Sequence, residues 1–367
     1  MAKIIKAPET MTSRERVIRT FQFEKTDRVT IGYEANEGIH NKLKAELRVS
    51  TDEELMKALG VDYRGVGVPY IGPELFKAPA NRRVDPLEGC FMRKVEHESG
   101  FYWDFCDFPL QDAADEDFER FPVPNPDHFD YNAAFEYAKS FRGEYALYIG
   151  NAATPDIINS NGRIMGMEDI LCNLITENPA ALDFVQRRIN FQLGMMERLL
   201  EKCKGHIDFM WLGEDLGTQI APMISLDLYR KIFRPIHKKF ADLAASYNIP
   251  SIMHTCGSSS WAYEDFIEIG IKGVDTLQPE AVNMSPEYLA ERFGGRLNFR
   301  GCISTAGPLA YGTADEVRKN CIDTLDVMMK YRGYHFAPTH QIQDNSPVEN
   351  VIAMYQTAHD FGRYNND

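Results

Sequence analysis

Hydrophobic and polar residues alternate with two different periods along most of this chain. Short apolar runs, typical of buried strands, are followed by longer stretches with apolar residues three or four positions apart, typical of helices. The strand-like runs lie at residues 29–33, 145–150, 209–213, 249–257, 273–277, 297–303 and 334–338. The helical patterns lie at residues 12–23, 179–204, 226–247, 262–269, from 285 onward, 313–331 and 346–361.

This sustained order of strand and helix predicts parallel strands covered by helices. The number of units favours a (β/α)8 barrel of the TIM type over an open doubly wound sheet. No Gly-x-Gly-x-x-Gly sequence follows a strand, which weakens the case for a dinucleotide-binding fold. We therefore predict an α/β protein with a single barrel domain over residues 1–367.

Residues 61–130 interrupt the pattern with many Pro and Gly residues and no clear period. We predict that they form an irregular N-terminal insertion or cap on the barrel. The aromatic residues clustered in this segment are Phe101, Tyr102, Trp103, Phe105 and Phe108. Because large aromatic side chains dominate buried surface, we expect them in the core; the alternative is a pocket wall for a flat ligand.

Composition limits the possible partners and the compartment. A formal net charge of -14 argues against binding to a nucleic-acid backbone or to an anionic membrane. No apolar stretch is long enough to span a bilayer, and the N-terminus lacks the apolar run of a signal peptide. The seven cysteines are scattered and odd in number, which predicts free thiols. We expect a cytoplasmic protein with a small-molecule substrate, and leave a homo-oligomer open.

The apolar run at residues 249–257 contains the clearest chemical signal. His254 and Cys256 are two positions apart, so on an extended backbone their side chains point to the same face. Imidazole nitrogen and thiolate sulfur are ligands that suit zinc. A pair this short also occurs by chance as packed or hydrogen-bonded side chains, so the pair alone leaves both interpretations open.

Polar residues also end the other predicted strands. Since the carboxyl ends of barrel strands share one mouth, we expect these residues to form one site. The candidates are Glu214 and Asp215, His254 and Cys256, Gln278 and Glu280, Arg300 and Cys302, and His340 with Gln341 and Gln343. Cys302 is either a ligand or a buried thiol, and His340 is either a ligand, a substrate-binding group or part of a polar network. His128 and His237 fall in segments that we expect at the surface, without a role.

Several motifs resemble those of the uroporphyrinogen decarboxylase superfamily over nearly the whole chain. They are MTSRERV at 11–17, LGEDLGTQ at 212–219, HTCGS at 254–258 and PTHQIQ at 338–343. The decarboxylases themselves carry an N-terminal Arg-Gln-Ala-Gly-Arg stretch that holds substrate carboxylates. After residues 29–33 this chain has the acidic segment EANEGIH instead. Its His-x-Cys pair resembles the zinc site of the cobamide-dependent methyltransferases in the same superfamily.

The resemblance implies a (β/α)8 barrel and a zinc-dependent methyltransferase. Such an enzyme moves a methyl group between a small substrate (a methoxyaromatic, a methylamine or a thiol) and a corrinoid cofactor, or cobalamin, on a partner protein. The alternatives are a cofactor-free decarboxylase or lyase on the same barrel, and a metal- or corrinoid-binding protein without turnover. The sequence leaves the substrate and the direction of transfer open.

The resemblance also implies roles for individual residues. His254 and Cys256 would bind zinc, with either Cys302 or His340 as the third ligand. Asp215 or Glu214 would be the catalytic acid; in a decarboxylase, Asp215 would stabilise developing positive charge. The residues expected to bind substrate are Tyr33, Gln278, Arg300 and Gln343.

Overall fold

The computed structural model describes residues 3–97, 100–141 and 143–364. Its strands are β1 (Thr30–Ile31), β2 (Tyr63–Gly65), β3 (Arg83–Val84), β4 (Phe91–His97), β5 (Gly100–Cys106), β6 (Ala146–Pro155), β7 (Phe209–Gly213), β8 (Ser251–His254), β9 (Gly273–Leu277), β10 (Asn298–Ile303) and β11 (Tyr334–Pro338). None of the helices in these described ranges is long and apolar enough to cross a membrane.

The helices follow the strands as the sequence pattern predicts, with additional helices before residue 179 and a short additional one at residues 308–311. They are α1 (Ser13–Phe21), α2 (Glu37–Leu47), α3 (Asp52–Leu59), α4 (Asp115–Arg120), α5 (Tyr131–Ser140), α6 (Ile157–Met165), α7 (Met167–Thr176), α8 (Pro179–Lys202), α9 (Leu226–Leu228), α10 (Arg234–Ser246), α11 (Tyr263–Glu268), α12 (Pro286–Phe293), α13 (Pro308–Tyr311), α14 (Ala314–Met328) and α15 (Val348–Phe361). A π-helical turn, Tyr229–Phe233, joins α9 to α10. A capping box formed by Thr313 and Glu316 begins α14, within the helical pattern predicted at residues 313–331.

Eight parallel strands form one curled sheet in the order β1–β11–β10–β9–β8–β7–β6–β2. Helices connect successive strands, as parallel pairing requires. This α/β arrangement is consistent with the TIM-like fold that the alternation predicts. Because the strands are parallel, their carboxyl ends lie at one edge of the sheet, which we call the mouth. The N-terminal cap stays a prediction.

The two outer strands of this sheet, β1 and β2, meet at Asp62. The backbone N–H of Asp62 donates to the carbonyl oxygen of Ile31 at 3.0 Å, and the N–H of Ile31 donates to the Asp62 carboxylate at 2.7 Å. Arg16 and Arg28 donate to the same buried carboxylate at 2.5 and 2.7 Å. Although burial favours the neutral acid, the two guanidinium groups lower the pKa of Asp62.

A small cluster of aromatic and aliphatic side chains fills the inside of the curled sheet. Tyr63 packs edge-on against Phe209, with ring centroids 5.5 Å apart, and Tyr148 stacks on the same ring at 5.1 Å. Trp211 and Ile252 belong to this inner cluster. The larger core lies between the sheet and the helices, so the inside of the barrel is packed below the mouth.

Residues 61–130 contain more regular structure than the sequence indicates. They include β2 of the main sheet and a separate antiparallel sheet of β3, β4 and β5. The expectation that its aromatic residues are core is wrong for Phe101, Tyr102 and Trp103, which are 44%, 52% and 37% exposed. Because successive side chains of a strand point to opposite faces, the exposure of all three shows that neither face of this small sheet is fully covered at the start of β5.

Replacing Asp62 with alanine is expected to destabilise the protein. The change removes the carboxylate that accepts from the Ile31 N–H and leaves Arg16 and Arg28 without their buried partner, which typically costs about 3–5 kcal/mol. Urea unfolding followed by circular dichroism measures the difference. Asp104→Ala is the control, because Asp104 pairs with Arg93 at the surface and such pairs contribute little. Equal unfolding midpoints for the two variants would contradict this role of Asp62.

Candidate functional site

His254, Cys256 and His340 come together at the mouth. One potential ligand atom from each lies within 4.8 Å of the others. Among the residues that the structure describes, this is the one group of at least three metal-ligating side chains at such distances. His254 ends β8 and is buried, whereas Cys256 and His340 lie in the loops that follow β8 and β11 and are half-buried. We call these three residues the triad.

The donor set of the triad fits zinc. Zinc binds histidine nitrogen and cysteine sulfur at about 2.0–2.3 Å in tetrahedral geometry, which places two such ligand atoms roughly 3.5 Å apart. The Nε2 atom of His254 and the Sγ atom of Cys256 are 3.5 Å apart. Three protein ligands also leave a fourth tetrahedral position for a substrate atom, as in catalytic rather than structural zinc sites.

Two residues of β9 hold the His254 ring from behind. Asp275 accepts a hydrogen bond from Nδ1 of His254 at 3.1 Å, and Thr276 Oγ1 lies 2.5 Å from the same nitrogen. Because a carboxylate can only accept, the proton lies on Nδ1, and Nε2 is left to face Cys256. Burial opposes a charge on this ring, but the hydrogen bonds to Asp275 and Cys256 hold the pKa of His254 well above its usual value.

Arg300 supports Asp275 from the opposite side. Its guanidinium group donates to Asp275, to the Glu34 carboxylate at 3.0 Å and to the Tyr63 hydroxyl at 2.8 Å. Burial alone would raise the pKa of Asp275, but Arg300 and His254 lower it below the usual range. Charges of alternating sign therefore run from Glu34 through Arg300 and Asp275 to His254.

Asp215 lies beside the triad. Its Oδ1 is 3.8 Å from Nε2 of His254 and accepts a hydrogen bond from the backbone N–H of Cys256 at 2.8 Å. Its Oδ2 accepts from the Asn159 side chain at 2.7 Å. Burial disfavours the charge, yet His254 and the Cys256 donors lower the pKa of Asp215. The carboxylate thus fixes the loop that carries Cys256.

Glu214 occupies a different environment from Asp215. Its side chain is fully buried and accepts hydrogen bonds from the backbone N–H groups of Ile157 and Ile158 at 2.8 and 3.0 Å. These donors belong to the first turn of α6, where a carboxylate is favoured. Burial raises the pKa of Glu214 to about 8. The geometry assigns this side chain to anchoring α6 beneath the mouth.

Cys302 lies outside the triad. It is 1% exposed and packs in the core cluster between the sheet and the helices. Regular alternation would place it on the same face as Arg300, but Gly301 and Cys302 have φ angles of +116° and +67°, and the β9–β10 register shifts there. Of the two residues considered for the third ligand, His340 is the one that the structure brings to His254 and Cys256.

The residues expected to bind substrate lie at three different places around the mouth. Tyr33 and Arg300 line a cavity of about 360 Å³ beside β1 and β2. Gln278 accepts from the Gly257 N–H at 2.8 Å and so supports the loop that follows β8. Gln343 lines a separate cavity with the hairpin of β4 and β5. Glu280 accepts a hydrogen bond from Ser304.

Sequence reasoning missed Asp275 and misplaced His237. The signal for Asp275 was a charged residue inside an otherwise buried strand, which requires partners. His237 is fully buried rather than at the surface, because it lies on the inner face of α10 with Ile236 and Phe240. Its Nε2 is 3.4 Å from the Glu214 carboxylate.

Comparison with known proteins gives a family match over part of the chain and a likeness in fold. The family model described as uroporphyrinogen decarboxylase (URO-D) matches residues 214–361, a range that includes Asp215 and the triad. The predicted resemblance to that superfamily is confirmed over this range. Similar solved structures include a methyltransferase from Methanosarcina mazei, with a TM-score of 0.66 and 16% identity, covering 96% of this chain and 99% of that chain. At this identity the likeness establishes the fold. Curated protein sequences give no match.

Zinc content should separate the ligands from the other thiols. Cys256→Ala and His340→Ala are each expected to lose most bound zinc while remaining folded, because a site at a barrel mouth adds little to the core. His254→Ala should also lose zinc, with some loss of stability, because Asp275 then keeps Arg300 as its charged partner but loses His254. Cys302→Ser and the buried control Cys321→Ser should retain zinc. The measurement is elemental analysis after reconstitution and desalting. Wild-type protein without zinc, or loss of zinc in Cys302→Ser with retention in His340→Ala, would refute the assignment.

Asp275→Asn tests the support behind His254. An amide at this position no longer fixes the Nδ1 proton, and loss of such an outer partner typically weakens metal affinity about 10- to 100-fold. Competition with a chromogenic chelator measures the affinity. Asp208→Asn is the matched control, since Asp208 is a buried carboxylate that pairs with Arg14 before β7, at the opposite end of the barrel. Equal zinc affinity in the Asp275→Asn variant and wild type would count against this role.

Proposed function

We propose that this protein is a zinc-dependent methyltransferase that moves a methyl group between a small substrate and a corrinoid carried by a partner protein. The observation that carries the proposal is the triad: two imidazoles and one cysteine sulfur at the mouth of a barrel, a set of three ligands that would leave the fourth position of a zinc ion open. The match to the uroporphyrinogen decarboxylase model over residues 214–361 and the methyltransferase among similar folds support it.

In this proposal the triad activates the heteroatom that gains or loses the methyl group. A zinc ion bound there would act as a Lewis acid on that oxygen, nitrogen or sulfur atom. When a methyl ether is the donor, the carbon–oxygen bond breaks, its electron pair stays on oxygen, and a proton completes the alcohol. The methyl group would pass to the reduced cobalt of the partner's corrinoid, whose own electron pair would form the new cobalt–carbon bond. With a thiol acceptor, the thiolate takes the methyl group from the methylated corrinoid.

Asp215 and Asp275 position the triad from two sides. Asp275 keeps the His254 proton on Nδ1, so that Nε2 remains a ligand. Asp215 holds the Cys256 backbone, and its charge beside the triad would attract a cationic or proton-bearing group of the substrate. Glu214 is buried under α6. We therefore assign to Asp215 the role of the carboxylate that faces the substrate at the mouth.

The alternative function is a cofactor-free decarboxylase, which the description of the matching family model favours. The charges inside this barrel make it the second choice. Arg300 is already paired with Asp275 and Glu34, and Glu34 follows β1, where the decarboxylases' arginine-rich stretch would hold substrate. A substrate with several carboxylates would therefore meet two acidic groups and no unpaired Arg300.

The test is methyl transfer by the purified, zinc-loaded protein. Mixed with reduced cobalamin and methoxyaromatics or methylamines, or with methylcobalamin and a thiol, it should interconvert the cobalamin forms, which absorb at different wavelengths. His254→Ala should slow transfer by several orders of magnitude, because zinc contributes several kcal/mol of transition-state stabilisation. Asp215→Asn should cost about a hundredfold.

Cys321→Ser is the control for this assay, because its thiol lies in α14, buried in the core away from the triad. It should transfer methyl groups at the wild-type rate. Absence of transfer across the whole donor and acceptor panel, together with release of carbon dioxide from a carboxylate substrate, would replace the proposal with the decarboxylase. A rate unchanged in His254→Ala would remove the triad from the mechanism.

A further inference from the structure

A cavity of about 580 Å³ lies at the base of the barrel, at the end opposite the mouth. Its wall is formed by α1, by α10 and by the segments that lead into β7, β8 and β9. Helix α1 covers this end of the sheet, where Phe21 packs on Phe209 with ring centroids 5.4 Å apart. We call this space the basal cavity. The active sites of such barrels form at the other end, so the basal cavity is separate from the triad.

Much of the wall is apolar surface that the protein itself leaves uncovered. It includes Ile18 and Phe21 of α1 and Ile249 and Pro250 before β8. All four residues are half-buried, although apolar side chains at the edge of a core are usually covered. Removing such surface from water is favourable. The basal cavity therefore suits a ligand with an apolar ring or chain.

Two hydrogen-bond donors in the same wall are without an acceptor. Ser251 is 2% exposed, and its hydroxyl has no hydrogen-bond partner among the residues that the structure describes. Lys272 lies beside it, because the Lys272 backbone N–H donates to the Ser251 carbonyl oxygen at 2.9 Å. Its exposed ammonium group forms no ion pair or hydrogen bond within the described ranges. A buried hydroxyl without a partner is costly, so a ligand oxygen that completes it is favoured.

The charged groups in the wall leave one positive charge in excess. Arg14 and Lys272 are cationic, and the described residues of the lining include one acid, Asp208. Its carboxylate already accepts from Nε of Arg14 at 2.9 Å and from the Leu147 N–H at 3.0 Å. The terminal nitrogens of Arg14 bond to no other described residue. On a chain with a net charge of -14, a local positive excess favours an anion.

We propose that the basal cavity is a second ligand site, which binds an organic carboxylate with an apolar ring or chain. The apolar body would pack on Ile18 and Phe21, and the carboxylate would accept from Lys272 and from the Ser251 hydroxyl, beside Arg14. One negative charge balances the wall, whereas a phosphate with two charges would exceed it. Cavities of roughly 300–1,000 Å³ with mostly apolar walls and a few polar groups are typical small-molecule sites.

The position of this site defines the kind of ligand that it takes. Its wall contains none of the triad residues, so the carboxylate is an effector or a stabilising ligand rather than the substrate of the reaction at the mouth. Ser251 begins β8, the strand that ends at His254. The proposal does not depend on methyl transfer, and it stands or fails by binding alone.

Calorimetry on the full-length wild-type protein tests the charge of the ligand with three probes that share one apolar body. They are 4-phenylbutyrate, its amide and 4-phenylbutylamine. The carboxylate should bind about tenfold more tightly than the amine or better, with the amide between them. Its Kd should rise with salt, because Lys272 is exposed, and it should raise the melting temperature. Equal Kd values for the carboxylate and the amine would overturn the proposal.

Three variants test the position of the ligand. Lys272→Gln and Ser251→Ala should each weaken 4-phenylbutyrate binding about three- to tenfold, the usual range for one hydrogen bond to a charged group. Neither side chain has a described partner to lose, so both variants should remain folded. Ala245→Trp should abolish binding of the carboxylate and the amide, because Ala245 is an exposed residue of α10 in the cavity wall. Undiminished binding in Ala245→Trp would place the ligand elsewhere and refute the site.

Lys330→Gln is the matched control for charge. Lys330 is also exposed and without an ion pair among the described residues, but it lines another cavity, with Asp326 and Asp360. This variant should bind 4-phenylbutyrate as wild type does. Equal weakening by Lys330→Gln and Lys272→Gln would reduce the effect to overall charge and overturn the proposal.

Cys256→Ala distinguishes the basal cavity from the triad, because a carboxylate can also bind zinc. The variant should keep the wild-type Kd for 4-phenylbutyrate. Loss of binding in Cys256→Ala, with binding retained in Lys272→Gln, would place the carboxylate at the mouth and overturn the basal site.

Discussion

The candidate site depends on keeping one ionised carboxylate, Asp275, inside the barrel. Removing an isolated carboxylate from water costs several kcal/mol, so the charge persists only where partners of opposite sign surround it. Arg300 on β10 and His254 on β8 supply these partners from the two strands that flank β9. The pairing that makes burial of Asp275 tolerable therefore also fixes the orientation of His254. Loss of one member would leave the others uncompensated, so the barrel interior and the metal ligand form a single electrostatic unit.

Two left-handed backbone positions decide which side chains reach that unit. In a regular strand Thr276 would point away from the face that carries Asp275, yet its φ of +62° brings Oγ1 to 2.5 Å from the His254 ring. On the neighbouring strand, Cys302 with φ of +67° lies in the core towards the helices instead of at the mouth. Non-glycine residues are rare in this conformation, which costs of order 1–3 kcal/mol and persists only where the surroundings enforce it.

These positions also show how far the sequence predicts this protein. Apolar runs and helical spacing predict the strand–helix order because hydrophobic burial acts locally along each element. The mouth residues follow from that order, since parallel strands end at one edge. The choice of His340 over Cys302 does not follow, because it depends on two φ angles and a shift in register. The exposure of the Phe101–Trp103 rings could not be predicted from the hydrophobic pattern either. Residue type alone does not show whether the faces of a small sheet are covered by other elements.

Exposure is distributed unevenly over the triad, and this suits a reaction between a small molecule and a protein-bound cofactor. His254 is 5% exposed and braced by Asp275, while Cys256 and His340 are half-buried in loops. One side of the triad is thus rigid and dry, and the other is open. Two reactants can share an open side only if the smaller one is held away from the line of approach of the larger one. The half-buried Cys256 and His340 keep this side of the triad accessible. A metal site with three ligands needs that access, because its fourth position must receive a reacting atom.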